Sequence, residues 1–142
     1  MGSTIDALLS HHSKEEYHKC ITISFFGKKK YLCSRCLGFH LVYWPMLLVL
    51  ILSQVTISNY LIVLLSFIFP GIAYIDWGLT KTKKIKSNNF NRILSGFFLG
   101  VGGAIMAFSV LTNPFFIWPY LIAILYFLIA RIIYVLNSKQ NI

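Results

Sequence analysis

All three cysteines and three of the four histidines of this 142-residue chain fall in its first 36 residues, as His11, His12, His18, Cys20, Cys33 and Cys36. Cys33-Ser34-Arg35-Cys36 has the spacing at which two thiolates reach one tetrahedral metal ion. Cys20 supplies a third sulfur, and His18 or His12 would close a Cys3His shell; the expected cofactor is Zn2+. His18 and Cys20 stand two residues apart, so in an extended segment their side chains share a face. A closed site would give so small a segment the folding energy that it otherwise lacks. The same residues also fit thiol redox chemistry, because a helix N-terminus and Arg35 beside Cys33 and Cys36 favour the thiolate. Clustering without any metal is the third reading. A catalytic zinc would need an open position and a general base, and the spacing selects neither Glu15 nor Glu16.

A second polar group lies far along the chain. Asp76 is the only acid after Glu16, and it sits near the end of an apolar run. An ionisable residue at a membrane boundary is a candidate for function. Beyond a basic stretch come Asn88, Asn89, Asn91 and Arg92. Asp76, Asn89 and Arg92 form a candidate catalytic set for a phosphate: Asp76 as acid/base or metal ligand, Arg92 as the bidentate clamp, Asn89 as the polar orienter. The plainer expectation is an Asp76–Arg92 ion pair between consecutive antiparallel helices, with Ser87 or Asn88 as a helix cap. His40, inside an apolar run, reads as an interfacial or packed histidine.

The elements that must position these residues are membrane spans. With 57% hydrophobic and 12% charged residues, the composition is that of an integral membrane protein. Four runs approach the roughly 20 residues that a span requires: 37–52, 60–78, 93–111 and 115–136. The first is the weakest, being short and holding His40 and Pro45. The expected organisation is a cytosolic Cys/His-rich head (1–36), an all-α four-helix transmembrane bundle (37–136) and a short tail (137–142). Within the head, Glu15 and Glu16 favour a short helix around 13–19, while the alternation at 21–26, followed by Gly27-Lys28, predicts a β-hairpin knuckle. No signal peptide is visible, since these first 36 residues hold no long apolar core.

Charge sets the expected orientation. Six of the 13 Lys and Arg residues precede the first run, five lie in or at the end of the 81–92 break and two near the C-terminus. The stretches 53–59 and 112–114 carry none. Since Lys and Arg collect in cytoplasmic loops, the pattern predicts a multi-pass cell-membrane protein with both termini cytoplasmic. The net charge of +9 then reflects topology and attraction to a lipid bilayer with anionic headgroups; nucleic acid is not an expected partner. Gly96-x-x-x-Gly100, followed by Gly102 and Gly103, gives the third span a smooth face for helix contact. Transport is disfavoured because no span holds a mid-membrane charge, although a homo-oligomer could build a path at its axis.

Three elements together, His-His…His-x-Cys…Cys-x-x-Cys-Leu-Gly, Pro-Gly…Asp-Trp and Ser-Asn-Asn-x-x-Arg-x-x-x-Gly, resemble the DUF2085-type family of small prokaryotic membrane proteins, a domain of unknown function. The likeness runs from about His11 to Gly103, and the early histidines are closest to its archaeal branch. Arg35-Cys36-Leu37-Gly38 is its most specific part. The resemblance places Cys33, Cys36, Asp76, Asn89 and Arg92 at motif positions; members often have an aromatic residue near His40 and Asp-Gly where this chain has Asp76-Trp77. It implies a shared site but supplies no activity. The expected function is therefore a membrane-embedded binding or assembly module whose zinc knuckle docks a cytosolic protein or closes the mouth of the bundle. The alternatives are an enzyme acting on a lipid or isoprenoid phosphate at the inner leaflet, and a thiol oxidoreductase coupled to a quinone through Cys33 and Cys36.

Overall fold

The computed structural model describes residues 20–25, 28–82 and 88–139. The short helix expected around 13–19, with His12 and His18, and the lysines of 83–87 lie outside the described residues. Two antiparallel strands, β1 (Cys20–Phe25) and β2 (Lys28–Cys33), form the expected hairpin, in register from Cys20↔Cys33 to Phe25↔Lys28. Four helices follow: α1 (Ser34–Ser53), α2 (Asn59–Lys81), α3 (Asn89–Thr112) and α4 (Trp118–Lys139). All four are long and apolar enough to cross a membrane, and α1 keeps its helical course through Pro45.

The helix boundaries have local causes. Cys33 ends β2 and stands directly before α1, so the hairpin joins the first span without a linker. Gln54 stops α1 by entering the left-handed region (φ 49°), a common way for a helix to end. The Ser58 hydroxyl accepts from the Leu61 N–H at the start of α2, and the Asn88 side chain accepts from the Asn91 N–H at 2.8 Å to open α3. At the far turn the Asn113 N–H donates to the Ser109 carbonyl, and the Phe116 N–H to the Asn113 carbonyl, which reverses the chain into α4.

The most buried span is α3, with α1 and α2 against it and α4 placed mainly on α2. Glycine makes this possible. A Cβ added at Gly96 would lie 2.1 Å from the Arg35 carbonyl oxygen, and one at Gly38 would lie 2.1 Å from that of Ile93. Backbone therefore meets backbone along the α1–α3 seam, which no larger residue at those positions would allow. On another face of α3, Gly102 receives Pro70 of α2, whose Cδ would be 2.4 Å from an added Cβ. Helices in lipid gain little from hydrophobic burial against each other, so close contact of small residues carries much of their association. Large apolar side chains such as Leu48, Leu52, Ile75, Phe127 and Ile132 face outward, as a lipid environment requires.

Candidate functional site

Both candidate clusters lie at the end of the bundle that carries the hairpin. The register places Cys20 directly opposite Cys33, and Cys36 follows within the first turn of α1. Cys20 is 5% exposed and Cys33 3%; all three cysteines are free of disulfides. A side-chain hydrogen bond joins Cys33 and Cys36, and Cys20 and Arg35 are close enough to act electrostatically on Cys36. The hairpin is tied to the bundle as well: the Asn89 amide donates to the Cys20 carbonyl at 3.4 Å. Among the described residues, no three Cys, His, Asp or Glu side chains form a ready metal shell, and His18 and His12 lie outside that set.

The ion pair of Asp76 differs from the expectation. Its partner is Arg35, whose Nη2 stands 2.5 Å from Asp76 Oδ2, and not Arg92. Arg35 Nε also donates to Ser95 Oγ at 2.9 Å, and Ser95 in turn donates to the Arg92 carbonyl at 3.0 Å. One guanidinium thus bonds side chains from α2 and α3 while standing on α1. The cause is the glycine seam: α1 lies so close to α3 that Arg35, in the first turn of α1, reaches across to both neighbours. The two charged side chains keep 19% and 26% of their surface exposed, and they stand near helix ends, Arg35 in the first turn of α1 and Asp76 five residues before the last residue of α2.

The remaining candidates separate. Asp76 is held by Arg35, and Asn89 by the backbone of β1. Arg92, only 7% exposed, lines a cavity of about 370 Å3 together with Arg35, Cys33 and Cys36, and neither Asp76 nor Asn89 reaches its wall. His40 also lines that cavity and accepts a hydrogen bond at Nδ1 from the Trp44 indole at 3.1 Å. Sequence reasoning missed Ser95 and the bonding role of Arg35. The available signal was their position: Arg35 lies three residues before Gly38, and Ser95 directly before Gly96, at the glycines of the seam.

These features define a helical membrane protein with its polar and thiol groups gathered at one end. The chain belongs to the family described as "predicted membrane protein (DUF2085)", whose model matches residues 17–108. The match takes in the hairpin, α1, α2 and most of α3, and leaves α4 outside. It begins after His11 and His12 and lends nothing to an archaeal assignment. No curated protein and no solved structure matches the chain.

Proposed function

We propose that this protein is a membrane-embedded binding and assembly module, with both termini cytoplasmic, whose hairpin end is locked by zinc. Cys20, Cys33 and Cys36 would be three ligands, and His18 or His12 the fourth. The observation that supports this reading is the placement of Cys20 opposite Cys33 across the hairpin, with Cys36 hydrogen-bonded to Cys33. Zinc would replace the S–H···S contact with Zn–S bonds and release the thiol protons. It would also fix the base of a two-stranded hairpin, an element too small to be stable alone. Because Asn89 holds the same hairpin on α3, the locked knuckle would close this end of the bundle and present its outer face to a cytosolic partner.

Sidedness follows from charge. Lys28–Lys30 stand on β2 and the basic stretch joins α2 to α3, so the cationic segments share the hairpin end, whereas the α1–α2 and α3–α4 turns carry no charge. Elemental analysis of the purified protein tests the reading. About one zinc per chain is expected for a single closed site, lost in both Cys33→Ser and Cys36→Ser and kept in His40→Ala. Metal-free wild-type protein would overturn it, and a readily reducible Cys33–Cys36 bond in that protein would point to thiol redox chemistry instead.

A further inference from the structure

We propose that the cavity between α1, α2 and α3 at the hairpin end binds a phosphate group. Cys33 and Cys36 form part of its wall, so it borders the proposed zinc site, but its arginine and imidazole donors ligate no metal in that reading. The cavity measures about 370 Å3, and besides the two cysteines it is lined by Arg35, Phe39 and His40 of α1, Trp77 of α2, and Arg92 and Leu99 of α3. Trp44 donates to His40 Nδ1, so the neutral imidazole carries its proton on Nε2 and is a donor there. The charged and imidazole groups of the wall are donors, and no carboxylate lines it. A guanidinium has five N–H donors, so the bonds that each arginine already makes do not exhaust it. Such a wall suits an acceptor-rich anion, and arginine pairs with phosphate in a bidentate manner.

Position strengthens the assignment. Arg35 is the second residue of α1 and Arg92 the fourth of α3, so two helix N-termini lie at the same end and their dipoles favour a negative charge there. Phe39, Trp77 and Leu99 add an apolar wall on which the root of an acyl chain can rest. The shared chemistry is a phosphate monoester or diester, from the headgroup of an anionic lipid or from a soluble phosphate.

Native mass spectrometry of the full chain separates the sources, with phosphatidic acid, diacylglycerol of the same chains and inorganic phosphate as probes. The wild type is expected to retain phosphatidic acid at least tenfold better than diacylglycerol. Arg92→Gln is expected to lose about tenfold of that preference, the order of one charge-assisted hydrogen bond, and Arg92→Lys to recover part of it. Quenching of Trp77 fluorescence by a brominated phosphatidic acid, with Trp77→Phe as the blank, provides a reading on wild-type protein alone. Displacement of the lipid by millimolar inorganic phosphate assigns a soluble ligand; retention against it assigns the lipid headgroup. Equal retention of phosphatidic acid and diacylglycerol, or no quenching at Trp77, overturns the site.

Discussion

The two ends of the bundle differ in what holds them. At the hairpin end, Arg35 bonds both Asp76 and Ser95, Asn89 anchors β1, and Arg92 is buried beside them. The opposite end has the larger cavity, about 620 Å3, lined by residues such as Ile51, Gln54, Ile62, Ser109 and Asn113, none of them charged. There the Ser109 hydroxyl is buried without a hydrogen-bond partner. Size and chemistry therefore point to different ends. A binding end is recognised by converging polar groups and by elements tied together around them, and only the smaller cavity has both.

Substitutions can break this contrast, beginning with the glycine seam. Gly38→Leu forces a side chain into the Ile93 backbone, and relief requires α1 to move away from α3. The expected loss is about 3 kcal/mol or more, at the upper end for overpacking, measured by unfolding in mixed micelles. The same variant should also release the Arg35–Ser95 bond. An unchanged midpoint would mean that the seam is looser than described.

Smaller effects are expected from the ion pair and the hairpin anchor. Arg35→Gln or Asp76→Asn leaves a partly exposed charge without its partner and should cost about 1–3 kcal/mol, below the cost for a fully buried pair. The double variant should recover part of that loss, and a cycle with no coupling would place the pair in free solvent. Asn89→Ala removes one hydrogen bond, worth about 1 kcal/mol. Its effect should be confined to faster amide exchange in β1 and β2, with the helices unchanged.

The smallest expected effect is at the other end. Ser109→Ala deletes a buried hydroxyl that makes no bond, so it should be neutral or stabilising by up to about 1 kcal/mol. A clear destabilisation there would reveal a polar contact at Ser109 and weaken the contrast between the two ends.

How much of this was legible beforehand follows from the range of each interaction. The spans announce themselves as long apolar runs, and the hairpin as a two-residue alternation beside Gly27. Gly96 and Gly100 pointed to a close helix contact. They did not say which helix, and the answer is α1, whose backbone at Arg35 and Phe39 they meet while Gly38 meets the backbone of Ile93. Asp76 drew attention as an isolated acid. Its partner could not be read, because Arg35 lies 41 residues away and either arginine would serve until the order of helices around α3 is known. The marginal place of α4, on α2 and outside the family match, had no signal in a run as apolar as the other three.

The metal proposed at the hairpin base is the central claim, and X-ray absorption at the zinc edge of the purified protein addresses it most directly. The account predicts a tetrahedral shell of about three sulfurs near 2.3 Å and one nitrogen near 2.0 Å, with sulfur lost in the Cys20→Ser variant. Absence of zinc, or a shell of oxygen and nitrogen only, would contradict it.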